Sequence, residues 1–476
     1  MKPNTILYVV STLAAIIGFL VGMVVNKIFK RLRQISALRS AQELARRTIE
    51  SIREGTTALL TQIQEPVFEV ESISIDNFKN IQHLDLKLME HSSLPGNWTC
   101  IVGINGAGKS TILQALCVVL LGERNAAELR SKRLSRMIRR TSDGSVGSAK
   151  IEARVRRNDG STARIMLPLN ADGIDETALR SDPDYAQMRQ VWEQMKSMVL
   201  VSYGAARNLS EEEEKRHDDA APRVRRQMTL FDPLTRIADV DVLVKSGSAN
   251  DKKRRMLQRL LEKVISQEEL GVFFESDRLV FGRTGTKVDA IDLPDGFRST
   301  VAWLADLCAA WHDSAPEGLD RSTDPSLMTG IVLLDEIDLH LHPSMARSIV
   351  PKLRQALPRV QFVVTTHSPL VLSSFDRAEL VVLEADDDGL VGTRMLDRQV
   401  FGFSMNEVYK WLMRTPPQSS VLEEKVARGD DPKLASYLYQ AGGRSPTQKG
   451  VNEEEADLLV DDLERLLKEV KKDAGS

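Results

Sequence analysis

The sequence predicts an α/β fold built on buried parallel strands and preceded by a single transmembrane helix. Three observations carry this. Residues 5–25 are uncharged, a glycine-rich loop at 103–111 sits between an apolar run and a helix-like run, and two further apolar runs end at Asp335 and near His367.

At 476 residues with 42% hydrophobic content, the chain can bury a large core, enough for one elaborated domain or two smaller ones with appendages. That composition excludes a disordered tail protein. Its 64 basic and 67 acidic residues leave a net charge of −3, so no global basic field argues for nucleic acid, while a local basic patch keeps nucleic acid open as a partner. The three cysteines, Cys100, Cys117 and Cys308, are far apart and form no CxxC pair. Cys117 and Cys308 fall in apolar helix-like runs, where a buried structural thiol is expected, and neither a disulfide framework nor a thiolate zinc site is indicated.

The uncharged stretch 5–25 would be about 32 Å long as a helix, which matches a hydrocarbon core of about 30 Å. Lys27, Lys30, Arg31 and Arg33 follow at once, whereas Lys2 alone precedes it. The positive-inside bias therefore makes a single-pass protein of the inner (plasma) membrane, with the short amino terminus outside and the rest of the chain cytoplasmic. A cleaved signal peptide would carry its charge ahead of a shorter apolar run. Ala14, Gly18 and Gly22 recur every four residues, a spacing that suits a dimer and is also common by chance. Ile28, Leu32, Ile35, Leu38, Ala45, Ile49 and Ile52 then mark an amphipathic helix over 28–60, read as a stalk, a short coiled coil or a helix lying on anionic lipid. Gly55 and Pro66 make 55–66 a linker.

Residues 70–81 alternate apolar and polar, and Leu84, Leu86 and Leu88 repeat the pattern, which predicts two strands. The apolar run 98–102 leads into Gly103, Ile104, Asn105, Gly106, Ala107, Gly108, Lys109, Ser110 and Thr111, followed by the helix-like run 112–121. This is strand, phosphate loop, helix. Gly103, Gly106 and Gly108 let the loop curl so that its N–H groups point at the β- and γ-phosphates of ATP, and the helix adds its positive end. Lys109 supplies a charge to the phosphates and Ser110 a hydroxyl to Mg2+.

The run 331–334 ends in Asp335 and Glu336, as expected of a buried strand delivering carboxylates at its C-terminal edge. Asp335 would hold magnesium through water and Glu336 would polarise the attacking water, while Asp338 is read as a cap of the next helix. The run 360–365 is another buried strand, and beyond it His367 can hydrogen-bond either the γ-phosphate or the water.

Together with Asn77, Phe78, Lys79 and Asn80, the segments 203–207, 230–233, 293–299, 335–343 and 365–369, these residues resemble the ABC/SMC-like ATPase superfamily over residues 68–415. They are most similar to the stand-alone bacterial ATPases of the AAA-15/AAA-21 kind found in anti-phage systems such as Septu and some retrons, and in overcoming-lysogenisation-defect nucleases. The resemblance implies an ABC/SMC-type P-loop NTPase head, with a mixed sheet, flanking helices and an antiparallel β subdomain. It implies hydrolysis of ATP to ADP and phosphate with Mg2+, and a head-to-head homodimer that sandwiches ATP between one subunit's phosphate loop and the other's signature. Residues 293–299 would be that signature, with Gly296 and Ser299 meeting the partner's nucleotide and a helix following over 300–311. Pro294 stands where transporter-type signatures put serine, so the contact falls to backbone N–H groups or to Ser299. Arg207 is either a phosphate-reaching arginine by the same resemblance or a salt-bridge partner in a turn.

Between phosphate loop and signature lie a hairpin at Asn158, Asp159 and Gly160, a charged run at 211–228 and helical stretches near 236–266, with no long heptad array. A long DNA-bridging arm is excluded, and 211–217 reads as a mobile solvated loop. After His367 no strand-borne acidic cluster suits a Toprim nuclease. Residues 400–440 and 452–473, the latter with Leu458, Leu459, Leu463, Leu466 and Leu467 at helical spacing, read as helices that dock a partner or close the fold. The expected division is an anchor at 1–26, a juxtamembrane helix and linker at 27–66, an ATPase domain at 67–415 and a helical tail at 416–476. The expected function is a membrane-anchored ATP-hydrolysing switch acting with a separate effector or nuclease. The alternative is an ATP-gated DNA-binding clamp or membrane tether with little turnover. A transporter motor ranks third, since one spanning helix provides no translocation path.

Overall fold

The computed structural model describes residues 67–88, 97–129, 134–140, 147–207, 221–237, 240, 251–265, 271–275, 278–283, 286–316, 321–385, 391–394 and 408. The anchor read at 5–25, the juxtamembrane helix and linker, the loop at 211–217 and, Val408 apart, the helices read at 400–440 and 452–473 lie outside the described residues. Among the described residues no helix is long and apolar enough to cross a membrane.

Two antiparallel strands open the described chain, β1 (Phe68–Phe78) and β2 (Ile81–Lys87), paired with Phe78 opposite Ile81. Ile81, read in sequence as the end of the first strand, begins the second because the chain reverses at Lys79, whose φ is 52°. After β3 (Asn97–Val102) comes α1 (Lys109–Ala127). The hairpin expected at Asn158 to Gly160 joins β4 (Ala149–Arg157) to β5 (Thr162–Asn170), and β6 (Gly173–Ile174) completes a five-stranded antiparallel sheet in the order β2-β1-β4-β5-β6. Next follow α2 (Tyr185–Met195), β7 (Val199–Tyr203) and α3 (Asp251–Val264). A small sheet in the order β10-β9-β8 comprises β8 (Gly271–Glu275), β9 (Arg278–Arg283) and β10 (Thr286–Asp289). The described chain ends with α4 (Asp295–Asp313), β11 (Gly330–Leu334), α5 (Pro343–Ala356), β12 (Val360–Thr365), β13 (Leu380–Ala385) and β14 (Val391–Arg394).

The central sheet runs β14-β13-β3-β12-β11-β7, parallel throughout except for β14. Its strands β3, β12, β11 and β7 are buried on both faces, as in a sheet covered on both sides. Ile331, Leu333 and Val363 point to one side, where they meet Ile112, Leu116 and Val119 of α1 and Ile73, Ile151 and Ile165 of the antiparallel sheet. Val332, Leu334, Phe362 and Val364 point to the other, where Leu257 and Leu261 of α3, Trp303 and Leu307 of α4 and Ile349 and Leu353 of α5 cover them. Each such fully buried side chain contributes about 1.5–3 kcal/mol. The helix α1 is thus enclosed between two sheets, which explains why most of its residues, including the whole run from Thr111 to Gly122, are buried.

That helix kinks at Gly122, whose φ of 75° interrupts it. A Cβ there would lie 2.6 Å from the Trp192 ring, and Trp192 Nε1 donates to the Val119 carbonyl at 2.9 Å, satisfying a group the kink releases. The helix expected at 300–311 begins earlier, at Asp295, with Pro294 as its N-cap, so residues 295–299 form its first turn rather than a loop ahead of it. Cys100, Cys117 and Cys308 are all buried, and burial pushes the Cys117 thiol up to about 12, which makes it unreactive.

Candidate nucleotide site

The glycines of the phosphate loop do different jobs. Gly106 and Gly108 have φ of 83° and 101°, a left-handed region that L side chains resist, and they turn the chain from β3 into α1. Gly103 instead permits close approach, because a Cβ there would sit 2.9 Å from the Leu383 carbonyl of β13. Lys109 is 7% exposed, and its Nζ donates to the Gly103 and Ile104 carbonyls at 2.9 and 3.0 Å. Burial lowers the Lys109 pKa, and the carboxylates of Asp335 and Glu336 oppose that shift. Ile104, Asn105, Gly106 and Ser110 are exposed, so the rim of the loop opens to solvent, whereas Ala107 and Thr111 face inward.

Strand register brings the acids to this loop. Leu334 of β11 lies beside Val364 of β12 and Tyr203 of β7, so Asp335 emerges next to Thr365 and beyond Tyr203. The Ser110 hydroxyl donates to Asp335 Oδ2 at 2.6 Å, and the Thr365 hydroxyl donates to Asp335 Oδ1 at 2.6 Å. Thr365 Oγ1 also accepts the Glu336 N–H at 2.8 Å, and the Asp335 N–H donates to the Tyr203 carbonyl at 2.8 Å. Three strand ends are knitted together at Asp335, through its carboxylate and its N–H.

Glu336 is half-buried with φ of 48°, an unusual conformation for a residue with a Cβ. Burial raises its pKa, and the nearby charges of Asp335 and Asp338 raise it further. That makes it a stronger base than a free carboxylate. His367, also half-buried, is held below the usual imidazole range by burial and by Lys109, so it is neutral at pH 7. Asp338 does not cap the next helix: it accepts from the Thr366 hydroxyl, and the N-cap of α5 is His342, whose Nδ1 accepts the Ser344 N–H at 3.4 Å.

Arg207 fits neither role expected of it. It is 2% exposed, and its guanidinium donates to the main-chain carbonyls of Asp335, Glu336 (2.7 Å) and Gly204 (3.2 Å) and to Ser299 Oγ (3.4 Å). It is turned inward, engaged with carbonyls and a hydroxyl rather than a phosphate or a carboxylate. Ser299, expected at a partner's nucleotide, is 9% exposed and faces this arginine, because α4 begins early enough to place it on the helix's inner face. Gly296 is buried against the turn after β11, where a Cβ would lie 2.1 Å from the His340 carbonyl.

Two contributors escaped the sequence reading as functional groups. Asn80 Nδ2 donates to the Gly106 carbonyl at 2.9 Å while its Oδ1 accepts the Thr111 hydroxyl at 3.1 Å, so the β1–β2 turn braces the phosphate loop. Its only signal was a place in a resemblance motif. Thr365 ends the apolar run 360–365 and opens the resemblance segment 365–369, and strand order reveals what it touches.

The family described as AAA domain, putative AbiEii toxin, Type IV TA system (AAA_21) matches residues 98–373. The chain is 28% identical over 392 residues to the Septu protein PtuA of Bacillus mycoides (strain KBAB4), covering 77% of this chain and 50% of that protein. It is 29% identical over 175 residues to the Retron Ec83 probable ATPase of Escherichia coli, covering 35% of this chain and 31% of that one. The chain therefore spans half or less of the length of these curated relatives. Among solved structures it is similar to the SMC head domain from Thermotoga maritima, at 16% identity and a TM-score of 0.41 over 69% of this chain and 100% of that chain. Since the family match covers more than half of the chain, from β3 through the phosphate loop, Arg207, Asp335 and Glu336 to His367, the chain belongs to the AAA_21 family of AAA domains.

Proposed function

We propose that the chain is a membrane-anchored ATP-binding and ATP-hydrolysing switch, completed when two heads meet around ATP, that serves anti-phage defence with a separate effector or nuclease. The observation that carries the hydrolytic part is the Ser110–Asp335–Thr365–Glu336 cluster, closed by hydrogen bonds of 2.6 to 2.8 Å at the mouth of the phosphate loop.

The residues fit Mg2+ and a triphosphate. A hydroxyl and a carboxylate that already meet at 2.6 Å are the pair that would hold the metal, and beside them lie the N-terminus of α1 and the Lys109 ammonium, which suit a phosphate. When bound, Mg2+ neutralises charge developing on the phosphate oxygens. Lys109 exchanges its two carbonyl acceptors for phosphate oxygens. Glu336, with its raised pKa, orients and polarises the attacking water, and neutral His367 hydrogen-bonds that water or the γ-phosphate.

The defence assignment is supported by the names of the relatives, a Septu protein and a retron probable ATPase. The anchor is supported by the uncharged 5–25 stretch with Lys27, Lys30, Arg31 and Arg33 behind it. The head dimer rests on the signature resemblance at 293–299, where Pro294 leaves main-chain N–H groups at the start of α4 as the trans contact.

Steady-state ATP hydrolysis by detergent-solubilised protein across a concentration series tests this reading, beside Lys109→Ala and Glu336→Gln. Turnover that rises faster than protein concentration and vanishes in both variants is expected. Tight ATP binding without turnover would overturn the hydrolytic switch and favour a clamp that works by binding alone.

A further inference from the structure

We propose that Arg207 is a positioning residue that joins the first turn of α4 to the hydrolysis turn of the same chain, so that contact made by a partner at 293–299 sets the aim of Glu336. The inference rests on the two-headed hydrolytic reading above and adds the part that connects its two halves.

The geometry starts from the peptide planes. The Asp335 carbonyl belongs to the peptide before Glu336 and the Glu336 carbonyl to the peptide after it, and Arg207 donates to both. Fixing both planes fixes the φ and ψ of the residue between them. That residue has φ of 48°, which an L side chain does not hold unaided. The Thr365 hydroxyl secures the N–H side of the same peptide at 2.8 Å, so Glu336 is aimed from both directions.

The same guanidinium reaches the signature. Its Nε donates to Ser299 Oγ at 3.4 Å, and Gly296, one turn earlier on α4, packs against the His340 carbonyl with no room for a Cβ. The start of α4 and the turn at 336–340 are therefore joined at two places, directly at Gly296 and through Arg207 at Ser299. Displacement of one strains the other, which is how a packed interface passes on a small shift. A full charge at 2% exposure is costly to bury, and here it is spent on three main-chain carbonyls and a hydroxyl. Burial lowers the Arg207 pKa only to about 10, so the fork stays charged at neutral pH. A planar fork with several fixed N–H donors suits two adjacent carbonyls; a lysine ammonium on a flexible stem does not.

The test uses the full chain in detergent and reads kcat, KM and binding of a fluorescent ATP analogue for wild type, Arg207→Lys and Ser299→Ala, with circular dichroism to verify folding. Arg207→Lys should lose kcat on the order of 10²-fold while nucleotide binding stays at the wild-type level, as misaimed catalytic groups behave. Ser299→Ala, which keeps the carbonyl fork and cuts the link from Arg207 to α4 while leaving the Gly296 contact in place, should fold normally and lose the rise of specific activity with protein concentration. Wild-type kcat in Arg207→Lys, or Ser299→Ala turnover as concentration-dependent as wild type, would overturn the coupling and leave the hydrolytic reading standing. Absence of turnover in the wild type would overturn both together.

Discussion

Replacing Thr365 by valine removes one oxygen from the centre of the candidate site while keeping the β-branched shape that suits β12. The lost hydroxyl makes two bonds: it donates to Asp335 Oδ1 at 2.6 Å and accepts the Glu336 N–H at 2.8 Å. Thr365 is fully buried and Asp335 nearly so, so water does not readily replace either bond. A hydrogen bond to a charged group is worth about 1.5–3 kcal/mol, and a stranded buried amide costs about 1–3 kcal/mol. Partial relaxation leaves an expected loss on the order of 3 kcal/mol for Thr365→Val, read as a lower denaturation midpoint in urea with unchanged slope. The same change frees Asp335 to rotate away from Ser110. The Mg2+ concentration that half-saturates ATP hydrolysis should then rise about 10- to 100-fold, as when a ligand's supporting partner is lost. A variant that unfolds at the wild-type midpoint and needs no more Mg2+ would refute the view that Thr365 holds the carboxylate in place.

Two further outcomes follow from the same geometry. Gly296→Ala would place a Cβ 2.1 Å from the His340 carbonyl, so two backbones must part by roughly 1 Å; the strain should outweigh the helix-propensity gain and cost about 1–2 kcal/mol. A thermal melt at or above the wild-type temperature would contradict that. Glu336 has a raised pKa, so the fold binds its proton more tightly than the unfolded chain does, and stability from this group is present below the ordinary carboxylate pKa and lost as pH rises through the raised one. Glu336→Gln should accordingly melt above wild type at pH 7, with the gap closing as pH falls below about 4, where the carboxyl becomes protonated in both states. A gap that widened on acidification would reverse the sign of the argument.

Much of the fold was legible because single strands and single helices announce themselves locally. The alternation through β1 and β2, the unbroken apolar run of β11 and the mostly apolar run of β12 each encode burial on one face or two. Where the reading slipped, a local rule was overridden by contact. The helix α4 starts at Asp295 although Pro294, Asp295 and Gly296 in a row look like a turn, because Gly296 is needed against His340 and the helix continues through it. Ile81 continued an alternating pattern, yet the reversal at Lys79 is sustained by distant groups: Lys79 N–H donates to the Met137 carbonyl at 2.6 Å and Lys79 Nζ to Gln114 at 2.5 Å.

The site divides along the same line. Lys109, Ser110, Asp335 and Glu336 are legible because their chemistry needs a fixed spacing from a strand end, and sequence records spacing. Thr365 and Arg207 are legible only once β7, β11 and β12 are known to be neighbours, since that order sets the loop after Tyr203 and the end of β12 on either side of Asp335. A sequence can show that an arginine follows a strand; it does not show whether the fork points out toward a phosphate or in toward two carbonyls. Here the inward choice follows from what lies opposite: main-chain oxygens of a left-handed turn, held also by the Thr365 hydroxyl on the Glu336 N–H and by the Leu339 N–H, which donates to the Glu336 carbonyl at 3.0 Å. An outward-pointing Arg207 would take the buried donor from the Asp335 carbonyl, at about 1–3 kcal/mol, and leave the Glu336 carbonyl with the Leu339 N–H alone, in the turn that carries the proposed base.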